Sequence, residues 1–188
     1  MGKLVVTEFI TLDGVIEDPG GSEGSERGGW AFAFERGAEG DQFKLDELMT
    51  ADAQLLGRKT YEGFAAAWPS RTDEGGFSDR MNSMPKYVVS TTLASAEWQN
   101  TTVVAGDLPG AIGRLKERYD GDILVAGSGR LVRSLLQEGL VDELRLMVFP
   151  VVLGMGARLF ADGADRRNFE LAATKHTGEV VILTLRKR

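Results

Sequence analysis

At 188 residues, with 43% hydrophobic and 27% charged side chains, the chain has the size and mix of an ordinary globular core rather than of a disordered or fibrous protein. It contains no cysteine, which excludes a disulfide framework, a cysteine-based zinc site and a thiol nucleophile. A formal net charge of −6 excludes a nucleic-acid binder working through a basic face, so an anionic ligand must be met by a local cluster of Arg or Lys.

No apolar run approaches the roughly 20 residues of a membrane-spanning helix. The first ten residues, MGKLVVTEFI, alternate like a strand and do not read as a signal peptide. The expectation is one cytoplasmic domain over residues 1–188, with no membrane and no nucleic acid as partner.

Lys3 to Thr11 carries β-branched residues on both faces and predicts a buried strand, ended by Leu12-Asp13-Gly14. Glu17 to Gly29 (EDPGGSEGSERGG) predicts a mobile loop of the kind that serves as a lid or binding loop. Trp30, Phe32 and Phe34 follow it and are assigned to the core ahead of a pocket wall. Asp41 to Asp52 predicts a helix with Phe43, Leu45, Leu48 and Met49 as its apolar members. Ala53 to Leu56 is a short strand closed by Gly57, and a second helix opens at Arg58 and stops at Trp68-Pro69. Thr72 to Pro85 is irregular, with a helical turn around Phe77 to Asn82.

Lys86 to Ser90 and Thr101 to Ala105 are strands, and Leu108 to Tyr119 is a helix with Pro109 in its first turn. Asp122 to Ala126 is an apolar run broken by Gly127-Ser128-Gly129. Leu131, Val132, Leu135 and Leu136 then recur at helical spacing up to Gly139, a natural C-cap. Val141 to Val148 is a strand, and Pro150 to Gly156 is an extended apolar segment broken by glycines. Phe169 to His176 and Val180 to Lys187 read as a closing hairpin about Thr177-Gly178-Glu179. This order predicts an α/β fold, its sheet mostly parallel with an antiparallel end.

Two of the helix starts carry chemistry. A strand, a tight glycine turn and a helix N-terminus, as around Gly127-Ser128-Gly129, bring unpaired N–H groups close to a ligand and suit an anion. An ordinary strand-to-helix connection has the same pattern. Gly57-Arg58-Lys59-Thr60 repeats the arrangement with two cations and a hydroxyl. Cations oppose the positive end of the helix dipole unless an anion sits between them, which points to a phosphate rather than to solvated charges. Ser90-Thr91-Thr92 adds hydroxyls at a third strand end, where they either cap the next turn or meet a ligand. Ligands of open α/β sheets bind at the carboxyl ends of the strands, and a phosphate-bearing dinucleotide would use all three.

Gly57-Arg58-Lys59-Thr60-Tyr61, Val89-Ser90-Thr91 and Val125-Ala126-Gly127-Ser128-Gly129-Arg130 resemble, in this order, the cofactor motifs of the dihydrofolate reductase superfamily. The run from Gly127 to Phe160 and the Thr11-Leu12-Asp13-Gly14 turn are similar to one branch of it, the reductase domain of bacterial riboflavin biosynthesis and its stand-alone relatives. The resemblance covers nearly the whole chain, excepting the Glu17 to Gly29 loop and Trp68 to Met84.

The resemblance implies a three-layer dihydrofolate-reductase-like fold, a homodimer and an NADPH site. Arg58, Lys59 and Thr60, after Gly57, would meet the 2′-phosphate and pyrophosphate, with Ser90 and Thr91 on the adenosine side. Gly127, Ser128, Gly129 and Arg130, followed by Leu131, would hold the pyrophosphate. The family's usual turn has two adjacent glycines, often with an unusual cis peptide, and Ser128 stands at the second. Asp13, Gly14 and Val15 would lie against the nicotinamide.

Dihydrofolate reductases carry a carboxylate on the helix before the GRxT motif; Asp41 lies there, although its position also suits helix capping. Asp13 and Asp41 are thus the catalytic candidates, while Asp46 and Glu47 read as solvated and the lone His176 as structural. The expected activity is NADPH-dependent hydride transfer to a C=N or C=O bond of a heterocyclic or sugar-derived small molecule, as in 5-amino-6-(5-phosphoribosylamino)uracil reduction. A non-catalytic nucleotide-binding protein and a true dihydrofolate reductase are the alternatives. The riboflavin-pathway deamination step, which needs a Cys/His zinc motif, is not expected of a chain without cysteine.

Overall fold

The computed structural model describes residues 1–160 and 162–188. Its strands are β1 (Lys3–Thr11), β2 (Ala53–Gly57), β3 (Lys86–Val89), β4 (Thr101–Val104), β5 (Asp122–Val125), β6 (Glu143–Phe149), β7 (Phe169–Thr177) and β8 (Val180–Lys187). The helices are α1 (Gly37–Thr50), α2 (Arg58–Ala67), α3 (Phe77–Ser83), α4 (Leu108–Arg118) and α5 (Gly129–Gln137), with a short 3-10 turn over Trp30–Ala33. The strands form one sheet in the order β4-β3-β2-β5-β1-β6-β8-β7. The first six are parallel, and β8 and β7 add to β6 antiparallel.

Helices cover both faces, so the inner strands are apolar on both sides and read as continuous runs rather than alternations. On one face Leu4, Val6, Leu55, Ile123 and Val125 pack against Ile112 and Leu115 of α4 and Leu131, Val132, Leu135 and Leu136 of α5. On the other, Val5, Leu56, Val88 and Leu124 meet Leu48 of α1, Tyr61 of α2 and Met81 of α3. A third cluster joins Trp30 to Met147, Phe149, Val180 and Ile182 beneath the antiparallel end. β7 closes the sheet as an exposed edge bearing Glu170 and Lys175, charges of the kind that discourage edge pairing. No helix among the described residues is long and apolar enough to cross a membrane.

Three local expectations change. The first helix starts at Gly37, four residues before Asp41, and the face it buries is Gly40, Glu47 and Leu48, whereas Met49 is exposed. The Glu17 to Gly29 segment is folded around its own Asp18. That side chain is buried and accepts the N–H groups of Glu23 and Ser25, both at 3.0 Å, while its carbonyl accepts those of Gly21 and Gly29. The three aromatics after the loop part company: Trp30 is buried and donates its indole N–H to the Glu17 carbonyl at 2.9 Å, whereas Phe32 is 80% exposed.

Candidate active site

The parallel strands β1, β2, β3 and β5 all point their carboxyl ends at one cavity of about 1000 Å³. A sheet places its strand-to-helix turns there, and each turn leaves the first N–H groups of a helix unpaired. Neither α2 nor α5 has a side-chain cap, whereas α4 is capped by Asp107 accepting from the Gly110 N–H at 3.2 Å. The two uncapped starts are stitched together, because Gly57 N–H donates to the Gly127 carbonyl at 3.1 Å. Gly127 has φ +93°, and a Cβ there would stand 2.9 Å from Thr60 Oγ1. The Gly127–Ser128 peptide is cis, so serine at the second position accommodates the unusual geometry.

Gly57, Arg58, Lys59, Thr60, Ser90, Thr91, Gly127, Ser128, Gly129, Arg130 and Leu131 all line this cavity, joined by Arg133. Four cations therefore gather at one end of an acidic protein. Arg58 is partly engaged, pairing with Glu62 one turn along α2 at 3.0 Å. Ser90 Oγ accepts the N–H groups of Thr92 and Leu93 at 3.1 and 3.0 Å, so it also holds its own turn.

The two aspartates chosen from the sequence, and two neighbours of one of them, do not line the cavity. Asp41 is on the exposed side of α1, paired with Arg36 at 2.7 Å; as the fifth residue of its helix it does not cap it either. Asp13 faces the loop that follows β6. Its carboxylate accepts the Thr11 hydroxyl at 2.7 Å and the N–H groups of Leu153 and Gly154 at 3.1 and 2.8 Å. These hydrogen bonds, the Thr11 hydroxyl foremost, hold its pKa down at about 2. Gly14 takes φ +82° to turn the chain, and Val15 is buried against Arg158 in an isolated bridge. From this segment the cavity receives Ile16 and Glu17 instead.

The carboxylates that line the cavity are Glu8, Glu17, Glu23 and Glu47. Glu47, expected to be solvated, is 5% exposed because the polar pair it forms with Lys44 lies on the sheet-facing side of α1. It accepts the Thr7 hydroxyl at 2.8 Å, Lys44 donates to the same Thr7 oxygen at 2.7 Å, and Arg145 of β6 stands 4.0 Å from Glu47 Oε2. Arg145 is itself held by Asp122 at 2.6 Å and Glu143 at 2.7 Å. The buried side-chain oxygens without a hydrogen-bond partner among the described residues are Glu8 Oε1, Glu47 Oε2 and Gln54 Oε1, and all three residues line this one cavity. Buried acceptors are costly when unpaired, so a cavity lined by three of them suits a ligand that carries N–H or O–H donors.

Sequence reasoning passed over these three because each looks unremarkable in its own element. Glu8 alternates on a strand, Glu47 sits in a charged helix, and Gln54 is one polar residue in an apolar run. A signal existed at Gly40, Lys44 and Glu47, whose spacing places them on one helical face.

The model of the RibD C-terminal domain family matches residues 2–183. The uncharacterized protein YwjB of Bacillus subtilis strain 168 is 30% identical over 181 residues, covering 96% of this chain and 95% of that protein. Among solved structures, Acinetobacter baumannii RibD superposes with a TM-score of 0.72 at 18% identity, over all of this chain and 58% of its own length. The dihydrofolate reductase of Enterococcus faecalis, solved with NADP(H), superposes with a TM-score of 0.63 at 16% identity, over 100% of this chain and 97% of that one. The architecture is thus the dihydrofolate-reductase-like fold.

Proposed function

Because the chain belongs to the RibD C-terminal domain family, a reductase-type family on a dihydrofolate-reductase-like fold, we propose that it is an NADPH-dependent reductase of a small heterocyclic or sugar-derived molecule. The observation that carries this reading is the make-up of the cavity. It joins two uncapped helix starts, with Arg58, Lys59, Arg130 and Arg133, to the unpartnered buried oxygens of Glu8, Glu47 and Gln54, of which Glu8 lies beside the Gly127 turn. A dinucleotide brings phosphates to the helix starts, and a heterocycle rich in N–H groups meets Glu47 and Gln54.

The residues present fit such a cofactor. The first-turn N–H groups of α2 and α5 suit the pyrophosphate, and Lys59 with Arg58 suits a 2′-phosphate. Bound there, the cofactor supplies a hydride, and the protein contributes binding, orientation and exclusion of water. Phe32 and the segment wrapped on Asp18, which brings Glu17 and Glu23 to the cavity, stand at the outer wall. The substrate of this reading resembles 5-amino-6-(5-phosphoribosylamino)uracil, the reductase substrate named for a Thermotoga maritima protein that superposes with a TM-score of 0.66. The same reading includes a cytoplasmic homodimer, which a monomeric mass in solution at micromolar concentration would refute.

The experiment is a titration of the purified protein with NADPH, followed by NADPH oxidation against a panel of aminouracil ribosyl phosphates and pterins. The expected result is saturable quenching and turnover with an aminouracil. No fluorescence change and no thermal shift at millimolar NADPH would overturn the reading. Cofactor binding without oxidation across the panel would favour a binding protein that has lost the reaction, and oxidation with dihydrofolate alone would favour a dihydrofolate reductase.

A further inference from the structure

Glu8 is the residue of the cavity whose position has no structural explanation. β5 pairs with β1 only as far as Val125 opposite Val6, then leaves the sheet at the Gly127–Ser128 turn. Glu8, two residues further along β1, therefore projects into the space where β5 has ended. Its Oε1 is sealed from solvent, makes no hydrogen bond, and lies 3.8 Å from where a Cβ on Gly127 would be. Among the described residues its carboxylate takes part in no hydrogen bond and no ion pair within 4 Å.

The charges facing it come from α1, from the loop on Asp18 and from the start of α2. Lys44 favours its ionised form, and Glu23 opposes it. Lys59 acts on Glu23 rather than on Glu8 directly. Lys44 is already committed to Thr7 and Glu47, which limits its hold on Glu8. Burial outweighs the attraction and pushes the Glu8 carboxyl up to about 8. An ionised carboxylate beside an anion-binding turn would repel the phosphates, whereas a neutral acid does not.

We propose that Glu8 is a catalytic residue, the proton donor to the substrate atom that gains hydrogen alongside the hydride-accepting carbon. This rests on the reductase reading above. In the step, the Glu8 O–H bond breaks and an N–H or O–H bond forms at the heteroatom of the C=N or C=O group. A reduced nicotinamide bound at the helix starts would supply the two-electron reductant as hydride to the carbon, and the Glu8 carboxylate recovers its proton from solvent. Each of the three unpartnered acceptors then has a distinct role. Glu47 and Gln54 receive N–H groups that orient the ring, while Glu8 gives a proton to the reacting bond.

The test compares the wild-type protein with Glu8→Gln, which keeps shape and polarity but has no acid proton. The difference infrared spectrum of the two ligand-free proteins should show a protonated carboxyl in the wild type at pH 7, lost with a midpoint near 8. Glu8→Gln should bind NADPH within about twofold of wild type while NADPH oxidation with 5-amino-6-(5-phosphoribosylamino)uracil falls on the order of 100-fold or more, the usual scale for losing a general acid. The wild-type rate should also fall as pH rises through the Glu8 transition, and that limb should be missing from the variant. Absence of the protonated carboxyl at pH 7, or a variant that keeps the wild-type rate and pH profile, overturns the proposal. Failure of wild type to bind NADPH would sink the cofactor reading and with it the proton-transfer step, even where the infrared band showed Glu8 to be neutral.

Discussion

Ser128 occupies the space that a side chain at position 57 would need: a Cβ built on Gly57 would lie 2.1 Å from Ser128 Oγ and 2.9 Å from its backbone nitrogen. The two helix starts that form the cationic end of the cavity are thus packed into one another. Each turn fixes the position of the other's N–H groups.

Gly57→Ala should therefore loosen both turns at once. We expect a loss of stability on the order of 1–3 kcal/mol, the usual cost of overpacking a close contact, together with weakened NADPH binding. Adding Ser128→Gly removes the hydroxymethyl group but not the backbone nitrogen, so the double variant should recover part of the loss. Denaturant titration of the three proteins measures this; full independence of the two changes would contradict the interlock.

Lys59→Ala should discriminate between cofactors. Arg58 is shared with Glu62, which leaves Lys59 as the cation better disposed toward a 2′-phosphate. NADPH affinity should fall on the order of tenfold, with NADH affinity changed far less, because only NADPH carries that phosphate. Equal losses for both would place the adenosine end elsewhere in the cavity.

Glu47→Gln tests the buried acceptors. It leaves the half-buried Lys44 ammonium without its carboxylate charge and replaces one of the two acceptor oxygens beside Thr7 by an amide NH2. Breaking such a pair costs about 3 kcal/mol. Binding of an aminouracil ligand should weaken while NADPH binding persists. An unchanged urea midpoint would show that the pair contributes nothing to the fold.

Asp13 should act on stability with a defined pH dependence. Its folded-state pKa of about 2 lies below the ordinary value of 3.8, so its contribution is present above that value and is lost as pH falls through about 2. Asp13→Asn should lower the melting temperature at pH 7, because the Leu153 and Gly154 N–H groups lose a charged acceptor, and the gap to wild type should close in acid. A constant gap from pH 7 to pH 2 would refute this assignment.

Asp41→Asn, in contrast, should change neither NADPH oxidation nor stability by more than about 0.5 kcal/mol, the range of an exposed ion pair. A large loss of activity would return Asp41 to the site.

The sequence by itself determined the elements, their order and the cationic lining of the cavity. Those signals are contiguous: an apolar run, a glycine turn and a periodic helix start are read within a dozen residues, as at Asp122 to Leu136 and Ala53 to Tyr61. Even the cis peptide site was visible as a position, although not as a conformation. Only the tertiary structure decided which polar side chains are buried in the cavity wall. Glu8, Glu47 and Gln54 come from β1, α1 and β2, and whether a polar side chain is buried depends on what the neighbouring layer places over it. Asp41 and Glu47 ride the same helix, six residues apart, and a rotation of that helix against the sheet sends one to solvent and the other into the cavity. The spacing of Gly40, Lys44 and Glu47 marks one face of the helix, but which face turns to the cavity is set by how the buried faces of several elements fit together.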